Sequence, residues 1–137
     1  MMKSVILALG SNDEGDHRVK QALAILQQIL DVTKVSSIMQ THPIGDLPGP
    51  FHNCLVTGYT SAPVDQLIRQ LKQTERRCGD RKSLRRQGKI VMDIDLMEYD
   101  GDRYHLKDWQ RPYIRQLLAE INEHQPTQPK EKDDEKP

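Results

Sequence analysis

The segment Ile90-Val91-Met92-Asp93-Ile94-Asp95-Leu96 carries the strongest chemical signal in the chain. On an extended strand alternate residues share a face, so Ile90, Met92, Ile94 and Leu96 can enter a core while Asp93 and Asp95 project together from the other side. Their Cα atoms would then lie about 6.6 Å apart. At an effective dielectric of about 20, two such carboxylates repel by roughly 2 to 3 kcal/mol unless a cation lies between them. A hard divalent ion meets that need, and Mg²⁺ typically takes one or two carboxylates together with phosphate oxygens of a substrate. A solvated strand face that merely alternates Asp with apolar residues is the competing reading.

The residues just upstream bear on that choice. Arg76, Arg77, Arg81, Lys82, Arg85, Arg86 and Lys89 stand against Asp80 alone between positions 76 and 89. A basic segment feeding an acidic pair suits a polyphosphate, with Arg and Lys on phosphate oxygens and the Asp pair on a bridging metal. Taken by itself, such a run is also compatible with a solvated helix end or an RNA contact. It is the adjacency of the two features that favours a site.

The elements that must position these groups follow from apolar spacing. Lys3 to Leu9 reads as a buried strand, and Val19, Ala22, Leu23, Leu26, Ile29 and Leu30 recur at helical intervals. Val32 to Met39 and Cys54 to Tyr59 read as two strands joined by a long Pro- and Gly-rich loop. A second helix starts at Pro63, places Val64, Leu67, Ile68 and Leu71 on one face, and stops at Gly79. Ile90 to Tyr99 is a further strand, and Pro112 opens a helix carrying Ile114, Leu117, Leu118 and Ile121. The order β-α-β-β-α-β-α predicts an α+β, ferredoxin-like βαββαβ core with a mostly antiparallel sheet, helices on one face and an added C-terminal helix.

Whole-chain properties set the bounds. A length of 137 residues is one domain's worth, and 20 basic against 20 acidic residues give zero formal charge, so nothing global points to nucleic acid or an anionic membrane. Residues 125–137 (QPTQPKEKDDEKP) offer no apolar side chain besides proline, so a folded domain over 1–124 and a disordered charged tail over 125–137 are expected. Cys54 and Cys78 make neither a disulfide framework nor a zinc motif, and the apolar start is too short for a signal or membrane segment. A reduced, cytoplasmic setting and a monomer are the expectation.

Several short motifs, in order and spacing, add to this reading: Ala8-Leu9-Gly10-Ser11-Asn12, Thr41-x-Pro43, Phe51-x-Asn53, Glu75, Gly79 and Asp93-x-Asp95-Leu96. Together they resemble the 6-hydroxymethyl-7,8-dihydropterin pyrophosphokinase family, over Val5 to Ile121. The resemblance implies transfer of pyrophosphate from ATP to a pterin alcohol in folate biosynthesis, with release of AMP. It implies two Mg²⁺ ions on Asp93 and Asp95, and a pterin site formed by Thr41, Pro43, Ile44, Phe51, Asn53 and Tyr113. It further implies nucleotide contacts from Glu75, His105 and Arg111, with His105 on a phosphate. For Phe51 and Tyr113 core packing is the alternative, although one sits in a Pro/Gly loop and the other at a helix start. His105 unaided would read as a surface histidine.

The departures are equally specific. Where the family has Gly-Pro-Arg before the aspartate strand, with Arg clamping the transferring phosphates, this chain has Gly88-Lys89-Ile90; where it has Gly-Arg after the second helix, this chain has Gly79-Asp80. The family's loop tryptophan is Gln87 here. Arg81, Lys82, Arg85, Arg86 and Lys89 are therefore the candidates to supply phosphate charge. A catalytically impaired paralogue that binds a pterin or nucleotide without turnover is the alternative reading, and an RNA-contacting domain a weaker third, since no aromatic strand pattern for base stacking is present.

Overall fold

The computed structural model describes residues 1–43 and 45–123. The expected tail over 125–137 and the candidate Ile44 lie outside the described residues. Among those described, the elements are β1 (Lys3–Ser11), α1 (Gly15–Leu26), β2 (Asp31–Val35), β3 (Met39–Thr41), β4 (Phe51–Thr60), α2 (Val64–Arg77), α3 (Lys82–Arg86), β5 (Asp93–Tyr99), β6 (Asp102–Arg103), a 3-10 turn at Asp108–Gln110 and α4 (Pro112–Glu123).

The strands form one antiparallel sheet in the order β2-β4-β1-β5-β6, with β3 following β2 along the same edge of β4. This is the split βαβ arrangement expected of a ferredoxin-like core. β1 is central, buried on one face and partly buried on the other, which is why it reads as a continuous apolar run rather than an alternating one. Val5, Leu7 and Leu9 join Val19, Ala22 and Leu26 of α1 and Leu67 and Leu71 of α2 in one core. Ile6 and Ala8 face the opposite side, where Leu55, Met97 and Trp109 meet Ile114, Leu117 and Ile121 of α4.

That second core corrects the expectation that all helices lie on one face. A strand apolar on both sides needs cover on both, and α4 supplies it, giving three layers. The strand expected over Val32 to Met39 is in fact two. At the break Ser36 Oγ accepts the Leu55 N–H at 2.8 Å while the Ser36 N–H donates to the Leu55 carbonyl at 2.9 Å, so a side chain replaces part of the ladder. The strand expected from Ile90 starts only at Asp93, because the Ile90, Val91 and Met92 N–H groups are bonded by Asn12 and Asp80 instead of a neighbouring strand. Met92 is still buried, but Ile90 is not. In α2, Leu67, Leu71 and Thr74 face inward, whereas Ile68 is exposed. The basic segment contains the short helix α3.

Candidate active site

Gly79 stops α2 in a way that shapes the site. Its φ of 106° lies in the region glycine adopts freely. The Asp80 N–H donates to the Glu75 carbonyl at 3.1 Å and the Gly79 N–H to the Arg76 carbonyl at 2.9 Å, the paired closure of a Schellman turn. The chain leaves the helix with Asp80 turned inward. Its carboxylate is buried and accepts the Val91 N–H at 3.1 Å, the Met92 N–H at 3.2 Å and Arg85 Nε at 2.6 Å.

β5 then presents its two aspartates. Asp93 pairs with Gly10 and Asp95 with Ala8 of β1, so both carboxylates stand at the sheet end beside the turn after β1. Among the described residues the outer edge of β5 has no strand partner here, since β6 pairs only with Glu98 and Tyr99. Glu75 Oε2 fills that gap by accepting the Ile94 N–H at 2.7 Å. Burial pushes the Glu75 carboxyl up to about 7, with the charge of Asp93 adding to the rise and the Ile94 bond opposing it. Burial likewise raises Asp95 to about 6, Asp93 adding like-charge repulsion that His105 partly offsets. His105, in a left-handed backbone conformation, has Nε2 3.9 Å from Asp95 Oδ1. Asp95, His105 and Asp108 bring their ligand atoms within 4.8 Å of one another.

Two clefts meet at this pair. The first, about 290 Å³, is walled by Gly10, Thr41, Leu47, Phe51, Asn53, Ile90 and Tyr113 and ends at Asp93, Asp95 and Arg85. Asn53 Nδ2 donates to Thr41 Oγ1 at 2.6 Å, which fixes its amide and turns Oδ1 toward Gly10. A side chain at Gly10 would put its Cβ 3.0 Å from Asn53 Oδ1, so glycine keeps this floor open. Burial raises the Tyr113 hydroxyl above its ordinary value, keeping the ring neutral. The second cleft, about 520 Å³, is lined almost entirely by charged residues, among them Lys72, Glu75, Arg81, Lys82 and Arg85 together with Asp93 and Asp95. A smaller apolar recess of about 200 Å³, bordered by Ile68, Leu71, Leu96, Tyr104 and His105, adjoins Asp95.

Of the residues proposed from sequence, Thr41, Phe51, Asn53 and Tyr113 share the first cleft with the aspartates, and Glu75, Arg81, Lys82 and Arg85 share the second. Others are placed differently. Pro43 sits against Gly49 rather than on a cleft wall. Arg86 is exposed, Lys89 Nζ approaches Asp13 at 3.9 Å, and Arg111 Nε is bonded to Asp108 at 2.8 Å. Arg85 is the most committed of the basic residues, with Nη2 on the Met92 carbonyl at 3.0 Å and on Asp93 Oδ1 at 3.2 Å. Burial disfavours its charge, but Asp80, Asp93 and Glu75 outweigh that and raise its pKa.

Sequence reasoning gave no role to Asn12 or Asp108 and counted Asp80 only as a departure. Asn12 Nδ2 donates to the Pro48 and Gly88 carbonyls, both at 2.9 Å, and Oδ1 accepts the Ile90 N–H at 2.7 Å. One amide thus ties the loop before β4 to the loop before β5. The Gly-Ser-Asn turn after β1 was its available signal. Asp108 had none, being one of many acidic residues.

An α+β sheet of this order, ending in paired carboxylates where an aromatic-walled cleft and a cleft lined by basic residues meet, defines a ferredoxin-like domain with its candidate site at one end of the sheet. A family model described as 7,8-dihydro-6-hydroxymethylpterin-pyrophosphokinase matches residues 6–123, and the chain belongs to that family. It is 31% identical over 127 residues to the 2-amino-4-hydroxy-6-hydroxymethyldihydropteridine pyrophosphokinase of Bacillus subtilis, a match covering 84% of this chain and 75% of the relative. It is 26% identical over 130 residues to the folate synthesis bifunctional protein of Arabidopsis thaliana, covering 87% of this chain and 27% of that protein. The corresponding protein of Chlamydia caviae is 28% identical over 134 residues, with 85% and 30% covered. The chain therefore spans less than a third of these bifunctional relatives.

Proposed function

We propose that the chain transfers pyrophosphate from ATP to 6-hydroxymethyl-7,8-dihydropterin in folate synthesis, releasing AMP. The observation that carries this reading is a single cleft in which Phe51, Asn53, Thr41 and Tyr113 lead directly to Asp93, Asp95 and Arg85. A flat heterocycle needs ring faces for stacking and fixed polar groups to read its edge. Phe51 and Tyr113 offer the former; Asn53, held by Thr41, offers the latter.

Asp93 and Asp95 would hold Mg²⁺. Their fit rests on the donor set: two carboxylates on one strand face, one pushed up to about 6 by burial and its neighbour's charge, the other already drawing in a guanidinium. Bound there, the metal would neutralise charge on the phosphates. The chain's own residues would orient the reactants. The hydroxymethyl oxygen attacks the β-phosphorus, the bond from that phosphorus to the bridging oxygen of AMP breaks, and the hydroxyl proton is lost. Arg81, Lys82 and Arg85 border the polyphosphate path, Glu75 and His105 flank it, and the apolar recess beside Asp95 suits the adenine ring. Arg86, Lys89 and Arg111 would reach a phosphate only after reorientation.

The domain would act as a monomer over 1–124 in the cytoplasm, with no nucleic-acid or membrane partner. Among the described residues no helix is long and apolar enough to cross a membrane. A coupled assay for AMP release with Mg²⁺-ATP and the dihydropterin tests the reading; absence of turnover at saturating substrates overturns it. Ile90, standing where the family has its phosphate-clamping arginine, and Asp80, standing where it has a second arginine, favour one second reading, a paralogue that binds without turnover. Calorimetric binding of pterin or nucleotide with no product would establish it.

A further inference from the structure

Asp80 puts a buried negative charge where the resemblance leads one to expect a positive one, and its two oxygens do different things. Oδ1 holds the Val91 and Met92 N–H groups at 3.1 and 3.2 Å, while Oδ2 holds Arg85 Nε at 2.6 Å. Arg85 is thereby anchored along one edge, leaving Nη2 to span the Met92 carbonyl and Asp93 Oδ1 at 3.0 and 3.2 Å. Glu75 Oε1 lies a further step away at 3.9 Å. The guanidinium thus covers a carboxylate oxygen that a divalent cation would use, at the rim common to both clefts. The anchor to Asp80 does not depend on Asp93, so Nη2 can leave Asp93 while Nε stays held.

We propose that Arg85 is a built-in counter-ion, seated on Asp93 when no divalent cation is bound and passed to the nucleotide's phosphate oxygens when metal and nucleotide enter. Asp80 is the positioning residue that keeps it within reach of both. The pair supplies from α3 the planar fork that Ile90 cannot supply from the start of β5. The inference rests on the metal–polyphosphate reading above and adds a consequence to it. Free metal must compete with Arg85 and binds weakly, whereas metal with nucleotide binds well because the phosphates take the released donors. The two ligands then reinforce each other through one residue.

The test uses Mn²⁺ as probe, read by the electron paramagnetic resonance of the free ion, with and without a nonhydrolysable ATP analogue. Arg85→Gln should raise affinity for Mn²⁺ alone about tenfold, the scale of one partly exposed charge removed from direct contact, and lower affinity for the Mn²⁺–nucleotide complex by about as much. Arg69→Gln, the same charge loss at an exposed residue of α2 that lines neither cleft, should change each less than about twofold. Asp80→Asn keeps an acceptor for the two N–H groups but sets an amide nitrogen against Arg85 Nε, and should move both affinities in the directions of Arg85→Gln by smaller amounts. Arg85→Lys, which retains charge but cannot span Asp80 and Asp93, should do the same if the Gln variant fails to fold. Equal shifts in the Arg69 variant, or movement of both affinities in one direction in the Arg85 variants, overturn the proposal. Absence of Mn²⁺ binding by the wild-type protein under every condition overturns the metal reading along with it, so the two failures are distinguishable.

Discussion

At the strand end of the cleft, Asn53 and Phe51 are carried by β4, Thr41 by β3 and Tyr113 by α4, and the one polar group among them that must be oriented is already bonded within the fold. At the α3 end the charged groups are held by one another, through Arg85 on Asp80 and Asp93 and Glu75 on a strand-edge amide. The first region is organised by hydrogen-bonded backbone and apolar packing, which persist when a ligand arrives. The second is organised by ion pairs that a metal or phosphate would have to rearrange. On the proposed reading one end of the site is a preformed receptor, and the other would exchange internal partners for external ones.

The strongest way to break this contrast is to remove a charge that the second region cannot replace. Asp95→Asn should lower turnover by about 10³-fold or more, because phosphoryl transfer depends on charge placement, while leaving pterin affinity within about threefold. Steady-state AMP release and calorimetry with the pterin alone measure the two effects. A comparable loss of pterin affinity would mean that the ends are not separable. In the opposite direction, Phe51→Ala should weaken pterin binding by about 10- to 100-fold through the lost ring face, with Mg²⁺-nucleotide affinity nearly unchanged. A parallel loss of nucleotide affinity would make Phe51 a structural rather than a receptor residue.

The same contrast explains what could be read from residue order. Strand and helix periodicity located β1, α1, β4, α2 and α4, since each buries a regular apolar face. The spacing of Asp93 and Asp95 announced a carboxylate pair because alternate residues on a strand share a side. The receptor end was legible only through short motifs whose order resembles a family, as Phe51 and Tyr113 have no chemical signature beyond their rings. The ion-paired end was the least legible. Nothing in Gly79-Asp80 says that the carboxylate turns inward, since this follows from the closure of α2 at Gly79 and from amides of the segment before β5 that need an acceptor. Likewise Ile90, Val91 and Met92 have strand composition but are claimed by Asn12 and Asp80, partners 78, 11 and 12 residues away in sequence. The double-sided core was missed for a related reason: an apolar run in β1 does not say which helix will cover its second face.

A smaller effect sharpens the comparison from the side of what is absent. Ile90 lines the first cleft close to the aspartates, and its N–H is held by Asn12, so its side chain can be exchanged without freeing the loop. Ile90→Arg should improve kcat/KM for Mg²⁺-ATP by about tenfold, if a planar fork is what the phosphate end lacks. No gain, with folding intact, would indicate that Arg85 already meets that need.

The smallest expected effect concerns stability, and it isolates the cost of organising the second region with buried charge. Glu75 has a raised value of about 7 in the folded, metal-free protein, against an ordinary 4.5. Below about 4.5 the group is protonated whether the chain is folded or unfolded, and it contributes no pH dependence. Between 4.5 and about 7 the folded state holds a proton that the unfolded state has released, so stability falls as pH rises; above about 7 the full penalty of the buried carboxylate is present. Glu75→Gln retains an oxygen to accept the Ile94 N–H but cannot ionise. Its melting temperature relative to wild type should therefore increase from pH 4.5 to about 7 and level off beyond, measured by thermal unfolding in chelator. The converse substitution at the receptor end, Asn53→Asp, should show the reverse dependence, since it introduces rather than removes a buried carboxylate beside Thr41 and is best tolerated where that carboxyl is protonated. A flat difference for Glu75→Gln would mean that Arg85 compensates its charge fully, and that the ion-paired end is as settled as the receptor it adjoins.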